Sequence, residues 1–279
     1  MTTFILPFEK MHGLGNDFIV LEKRHLPNNV NEKILAKILC NRNYAIGADG
    51  LIIVDLSPSR EADFSWNYYN SDGSEAEMCG NGMRCFVKYV YEKGFTDSVE
   101  ISVLTKAGII KNKIEQDSTV TVNMGKPKYD TDEKNVLLVD DQELRYTYVE
   151  VGNPHCVIFV KSPIGDKEFY KLGPAIEKHS RFSNGTNVEF AFLKSKIEIE
   201  CKVWERGCGP TLACGTGACA VLVASVVNKL SDDSVKISLP GGIVRVRWDK
   251  KDDNLYLNGS ATSVYIGQFN LDPFLVCAN

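Results

Sequence analysis

The chain has 279 residues, 44% of them hydrophobic and 24% charged, with 10 prolines; this is ordinary globular usage and excludes disordered, collagenous and low-complexity classes. The formal net charge is −4, and no lysine or arginine cluster supplies the footprint that a phosphate backbone needs, so nucleic acid is not expected as a partner. The longest apolar run, Ala218 to Val227, is about half a bilayer span, and MTTFILPFEK lacks a signal-peptide layout, so a cytoplasmic protein without membrane partners is expected.

In chain order, Gly15-Asn16 marks a turn, and Ile34, Leu35, Ile38 and Leu39 have the spacing of one helix face. A strand FSWNYY ends at Asn70, and Cys79-Gly80-Asn81-Gly82 then opens a helix with Met83, Phe86, Val87 and Val90 on one face and Gly94 as its stop. Strands follow over Val99 to Leu104 and Thr119 to Asn123, then a polar stretch from Lys126 to Lys134 containing Pro127. Beyond it come a strand from Tyr146 to Val151, a Gly152-Asn153 turn, and a helix face of Phe169, Leu172 and Ile176. A strand from Ile197 to Val203 precedes Glu205, and Cys214-Gly215-Thr216-Gly217 opens a helix that is apolar all round from Ala218 to Val227. Ile243 to Trp248 and Ser263 to Ile266 complete an α+β pattern in which antiparallel pairing is expected to prevail.

The order of these elements repeats. Composition alone supplies roughly 0.06 Cys-Gly-x-Gly tetrads, yet the chain has two. From Asn16 to Asp49, Asn70 and Cys79 the steps are 33, 21 and 9; from Asn153 to Asn187, Glu205 and Cys214 they are 34, 18 and 9. The expected domains are 1–125 with 265–279, and 126–264. The expected fold is two similar α+β domains related by a pseudo-twofold axis.

The tetrads suit one chemistry. Unpartnered N–H groups at a helix start attract anions, glycines admit a ligand to the backbone, and the same field favours thiolate, lowering a cysteine pKa towards neutrality. Two such starts facing each other across an interdomain cleft would hold a small carboxylate between two sulfurs. One sulfur would take an α-proton while the other delivers one to the opposite face, without a cofactor.

Other readings fit less of the pattern. Cys214 and Cys219 differ by about 140° around a helix and Cys79 and Cys85 by about 240°, which suits no metal. Gly215-Thr216-Gly217-Ala218-Cys219-Ala220 matches a dinucleotide fingerprint but begins about ten residues after the preceding strand. A cysteine hydrolase using His155 or His12 leaves one tetrad without a role, and plain glycine helix starts remain a further reading. Of the nine cysteines, an odd number expected to be mostly reduced, Cys40, Cys85, Cys156, Cys201, Cys219 and Cys277 read as core. Cys208 lies in the loop before Cys214, where packing and chemistry are both open to it, and His155 reads more readily as structural.

Together, HGLGNDF at 12–18, GADGL at 47–51, YNSDGSEAEMCGNGMRC at 69–85, GNPH at 152–155, Asn187 and WERGCGPTLACGTGACA at 204–220 resemble the diaminopimelate epimerase family. That cofactor-independent group also includes proline racemase. The resemblance implies domains each built as a mostly antiparallel sheet curled round a central helix, with the last strand returning to the first domain and the active site in the cleft. It implies conversion of LL-diaminopimelate to the meso form for lysine and cell-wall synthesis; a proline racemase-like activity is the alternative, and a homodimer is compatible. Cys79 and Cys214 would be acid and base, and Gly80, Asn81, Gly215 and Thr216 would cradle the reacting carboxylate with Asn16 nearby. Asn70, Asn153, Asn187, Glu205 and Arg206 would read the distal amino-acid end, where an ammonium suits Glu205 and a carboxylate suits the fork of Arg206. Gly50 stands where some members carry a glutamine, so that contact does not transfer.

Overall fold

The structure, a computed structural model, describes residues 4–56, 61–132 and 135–274. Cys277 and residues 133–134 of the polar stretch lie outside the described residues. The chain divides into two compact units, Met1–Val122 with Ser260–Asn279, and Asn123–Gly259. The exchange points fall a few residues ahead of the breaks expected after 125 and 264.

The first unit begins with a hairpin of β1 (Ile5–Gly13) and β2 (Asn16–Glu22). Its two-residue turn places Leu14 at φ 57° and Gly15 at φ 84°, the left-handed pair that matches strand twist. Helix α1 (Glu32–Leu39) is capped by Asn31, whose side chain accepts from the amides of Lys33 and Ile34. Strands β3 (Gly50–Asp55) and β4 (Phe64–Asn70) follow, then α2 (Gly80–Glu92), and the meander β5 (Glu100–Thr105), β6 (Gly108–Ile114) and β7 (Val120–Gly125). Gly94, at φ 70°, ends α2 by letting its own amide and that of Phe95 turn back to Tyr91 and Val90.

The second unit opens with β8 (Lys128–Asp130) and a separate hairpin of β9 (Val136–Val139) and β10 (Gln142–Arg145). It continues with β11 (Thr147–Glu150), β12 (Pro154–Val160), α3 (Asp166–Glu177), β13 (Asn187–Ser195), β14 (Glu198–Glu205) and the short β15 (Gly209–Pro210). Helix α4 (Gly215–Val227) and strands β16 (Ser234–Leu239), β17 (Gly242–Trp248) and β18 (Leu255–Gly259) close it. Strand β19 (Thr262–Asn270) belongs to the first unit, pairing antiparallel with β1.

The pairing pattern of the first unit recurs in the second. Antiparallel β1/β2, parallel β2/β3, antiparallel β3/β4, parallel β4/β5 and the antiparallel meander β5/β6/β7 are matched by β11/β12, β12/β13, β13/β14, β14/β16 and β16/β17/β18. Antiparallel pairs prevail, as expected, but these four parallel pairs qualify that expectation. Each is joined across one of the four α-helices found among the described residues, because strands that run the same way need a crossover rather than a tight turn.

One helix in each unit carries the core. Met83, Phe86, Val87 and Val90 of α2 are fully buried, and the Phe86 ring meets Phe64 and Trp66 edge-on at 6.3 and 6.0 Å. From Ala218 to Ala224, α4 has no exposed surface, and it contacts β11 to β14 and β16 to β18. Burying Val221, Leu222 and Val223 stabilises the unit by about 1.5–3 kcal/mol each, which outweighs the modest helix propensity of valine. The outer helices complete the layers: Leu35 and Leu39 of α1 pack with Ile19 and Ile53, while Phe169, Leu172 and Ile176 of α3 pack with Val188 and Phe190. Among the described residues no helix is long and apolar enough to cross a membrane.

Gly173 of α3 lies against the Trp204 indole, and a Cβ there would stand 2.6 Å from it. Gly173→Ala is therefore expected to cost about 1–3 kcal/mol by overpacking, read as a lower midpoint in denaturant unfolding. Gly94 has open space around it and only its positive φ to lose, so Gly94→Ala should cost about 1 kcal/mol. Equal and negligible effects at both positions would contradict this account of the α3 contact.

Candidate active site

The two cysteines of the repeated tetrads have the same local geometry. Each is the N-cap of its helix with an extended backbone, φ −144° and ψ 112° at Cys79, φ −121° and ψ 113° at Cys214. Each sulfur accepts from the amide three residues on, Gly82 at 3.4 Å and Gly217 at 3.4 Å. Each carbonyl accepts the first helical bond, from Met83 at 2.8 Å and Ala218 at 3.0 Å. The amides of Gly80 and Asn81, and of Gly215 and Thr216, stand in the first turn, where the helix provides no acceptor. A Cβ on Gly217 would meet the Glu189 carboxylate at 2.7 Å, so glycine is required there by what packs behind the helix start.

In the first unit the structure brings Cys79, Gly80, Asn81 and Asn16 together. The Asn16 oxygen lies 3.8 Å from the Cys79 sulfur and accepts from the Asn81 amide at 3.2 Å, while the Asn16 nitrogen donates to Asp49 at 2.9 Å. Asn70 joins through Tyr68, a residue the sequence reading missed. The Tyr68 hydroxyl donates to Asn70 Oδ1 at 3.1 Å and lies against Cys79, and burial together with that sulfur pushes its pKa well up. The Tyr68 ring also covers Gly50, where a Cβ would come within 2.6 Å of it. That contact is why a larger residue does not fit at 50 in this chain.

In the second unit Cys214 is more enclosed than Cys79. Burial, then the carboxylates of Glu205 and Glu189, push the Cys214 thiol well above its ordinary range, against the weaker pull of the Thr216 hydroxyl and Gly217 amide. The expected depression towards neutrality is therefore wrong for Cys214: a helix-start field does not outweigh desolvation and two nearby carboxylates. Burial likewise raises Glu205, opposed by hydrogen bonds from the Thr211 hydroxyl and Cys214.

The other expected residues of this unit separate into two groups. Glu205 faces Cys214, whereas Arg206, next on the chain, opens onto a cavity of about 410 Å³ lined also by Arg181, Tyr146, Tyr148 and Pro154. Asn187 donates to the Pro154 carbonyl at 2.8 Å and accepts from the Arg206 amide at 3.0 Å, which holds the Arg206 turn and leaves one N–H and one lone pair of the amide for other partners.

His155 is fully buried, with Nδ1 2.7 Å from Glu189 Oε1 and Nε2 2.8 Å from Asn153 Oδ1. Both ring nitrogens are thus engaged, which removes the acceptor that a cysteine hydrolase would need. His12 is a turn residue, its Nδ1 accepting from the Gly15 amide at 3.2 Å. Cys40, Cys85, Cys156, Cys201 and Cys219 are buried, and Cys208 is exposed. Glu189 was not foreseen; its one trace in the sequence is a lone acid inside the apolar run NVEFAF.

These environments predict a reactivity order. In native protein at pH 7.5, iodoacetamide should modify exposed Cys208 at least about tenfold faster than Cys214. Because the Cys214 pKa is raised, its rate should keep climbing with pH and show no plateau below about pH 9. Peptide mapping of the alkylated protein measures both, and a plateau near neutrality would contradict the geometry described.

Comparison with known proteins agrees with this duplicated arrangement. The family model described as diaminopimelate epimerase matches residues 8–129 and 147–264. The diaminopimelate epimerase of Heliobacterium modesticaldum is 42% identical over 95% of this chain and 100% of its own length. That of Desulfitobacterium hafniense is 44% identical over 92% of this chain and 96% of its own. Among solved structures, a hydroxyproline epimerase from Agrobacterium vitis superposes with a TM-score of 0.75 at 15% identity, covering 98% of this chain and 95% of that one. A Bacillus anthracis phenazine biosynthesis protein of the PhzF family does so with a TM-score of 0.73 at 16% identity, covering 96% and 99%. At those identities the two structures show the fold, a duplicated α+β architecture. The family model spans both halves, tetrads included, and close relatives align nearly end to end: the chain belongs to the diaminopimelate epimerase family and is an isomerase.

Proposed function

We propose that the enzyme interconverts LL- and meso-diaminopimelate with Cys79 and Cys214 as paired acid and base, without a cofactor, in the supply of lysine and peptidoglycan precursors. The observation that carries this reading is the cysteine N-cap, built twice with the same sulfur-to-amide bond. In one direction a thiolate takes the α-proton, the C–H electron pair passes into the carboxylate as an enediolate, and the opposite thiol gives its proton to the other face. The two sulfurs end with their protonation states exchanged, and the reverse reaction restores them.

The first-turn amides of Gly80, Asn81, Gly215 and Thr216 are the donors for the carboxylate as it gains charge. Preorganised donors of that kind are worth about 3–4 kcal/mol each in a site shielded from water. A raised Cys214 pKa suits the same task, since a thiolate that is hard to form is a stronger base once formed. Arg206, on its cavity, is the natural fork for the distal carboxylate, Glu205 is the acceptor for the distal ammonium, and Asn70, Asn153 and Asn187 serve the polar distal end.

Cys79→Ala and Cys214→Ala should each abolish net epimerisation, measured by chiral analysis of diaminopimelate incubated without added cofactor, while circular dichroism stays unchanged. In D2O at low conversion, inverted product should carry deuterium and recovered substrate little, because the donor thiol has already exchanged with solvent. Substantial protium transfer from substrate to product would sink the two-base assignment.

Arg206→Lys should lower kcat/KM for diaminopimelate by about tenfold or more, since a point charge cannot replace a bidentate fork. Proline should not be turned over by the parent enzyme; efficient proline racemisation would move the reading to the other branch of the group.

A further inference from the structure

In the first unit a run of hydrogen bonds connects a buried arginine to a carboxylate and passes the reactive sulfur on its way. Arg84 of α2 is fully buried; its Nε donates to the Ser260 carbonyl at 3.0 Å and its Nη2 to Asn81 Oδ1 at 2.9 Å. A guanidinium only donates, so the Asn81 oxygen must face it and the Asn81 nitrogen must face away, towards Asn16 Oδ1 at 3.2 Å. At the far end the Asn16 nitrogen donates to Asp49 Oδ2 at 2.9 Å. Asp49 is paired with Arg42 at 2.7 Å, and an ionised carboxylate only accepts. Both asparagine amides are therefore pinned, by a group that can only donate at one end and one that can only accept at the other.

The Asn16 oxygen, fixed in this way, is the atom 3.8 Å from Cys79 Sγ. An amide oxygen offers no proton, so the sulfur it meets is the donor, an S–H. The same sulfur also has donors beside it, the Gly82 amide at 3.4 Å and the Tyr68 hydroxyl, which is shared with Asn70 at 3.1 Å, so the Asn16 oxygen is the acceptor that opposes them. The surroundings are built to keep the run in place. A Cβ on Gly13 would stand 2.9 Å from Arg84 Nη2, so glycine makes the passage behind the end of β1. Arg42 also forks onto Asp17 at 3.1 and 2.7 Å, and Lys10 pairs with Asp17 at 2.7 Å, which ties the Asp49 turn to β1 and β2. The second unit does not repeat the arrangement: Asn153, the counterpart of Asn16, meets a histidine ring nitrogen, His155 Nε2 at 2.8 Å, in place of a second asparagine.

We propose that Arg84 and Asp49 are positioning residues that act through Asn81 and Asn16 to present a fixed acceptor to Cys79, which favours its thiol form in the free enzyme. Were the Asn16 amide reversed, an N–H would point at the sulfur beside the Gly82 amide and would favour thiolate. The inference rests on reading Cys79 as an acid–base cysteine, but its test uses thiol reactivity rather than turnover.

The test is site-resolved alkylation of the free enzyme by iodoacetamide at pH 7.5, with Cys79 and Cys214 quantified by peptide mapping. In Asp49→Asn, residue 49 can donate, Asn16 is free to turn, and Cys79 alkylation should rise about three- to tenfold while Cys214 is unchanged. In an Asn16→Ala background the same Asp49→Asn change should alter the Cys79 rate by less than about twofold, because the group it acts through is gone. Asp49→Glu keeps the charge and displaces the carboxylate; it should also raise the Cys79 rate, and it gives the reading if Asp49→Asn does not fold. An unchanged Cys79 rate in the folded Asp49 variants overturns the proposal, as does a rise that persists without Asn16, which would be the bare effect of charge. Loss of the two-cysteine reading would instead show as turnover retained in Cys79→Ala, with these alkylation rates unaffected.

Discussion

The first amides of a helix have no partner within it, and a fold that buries a helix start must supply acceptors or leave polar groups orphaned. Here the acceptor for the third amide is a cysteine sulfur, in both units. The sulfur thereby does two things at once: it caps the helix that fills the core, and it is held within reach of the amides left over. A side chain of serine or aspartate would cap more strongly, but neither offers a proton-transfer group of the same basicity. The site and the core are consequently the same construction, since the helix that positions the sulfur is the one the sheet encloses.

Duplication has preserved this construction and varied its surroundings. Around Cys79 the neighbours are neutral amides and a phenol, with charge held one step away by Arg84 and Asp49. Around Cys214 the neighbours are the carboxylates Glu205 and Glu189, and the sulfur is more deeply enclosed. Two cysteines with one backbone geometry therefore meet different electrostatics. Groups of one geometry in different fields differ in basicity, which matters for any pair that exchanges protons.

The neighbouring asparagines show how little of a polar side chain's role follows from its type. Asn187 bonds backbone at Pro154 and Arg206, Asn81 passes a hydrogen bond onward, and Asn16 presents its oxygen to a sulfur. Each orientation is imposed by a partner that can only donate or only accept. Arg206 and Glu205 are adjacent in the chain, yet one lines a cavity and the other lies beside a sulfur.

The amino-acid sequence by itself determined the duplication, the cysteine helix starts, the main helix faces and most strand positions. These are local or periodic properties: a glycine tetrad, a spacing of polar residues, a helical or alternating apolar pattern. Even α4 was legible, since a run from Ala218 to Val227 without a polar face has to be enclosed. The parallel strand pairs were not legible, because pairing joins segments that the crossover helices separate in sequence. Nor was the environment of Cys214: its thiol was expected near neutrality from the helix field alone, and only the tertiary structure brings Glu189 and Glu205 beside it and removes water. Tyr68 over Gly50 and Glu189 behind Gly217 belong to the same class. Each depends on a distance between residues far apart in the chain, and electrostatic and steric effects follow distance in space, which local sequence pattern does not contain.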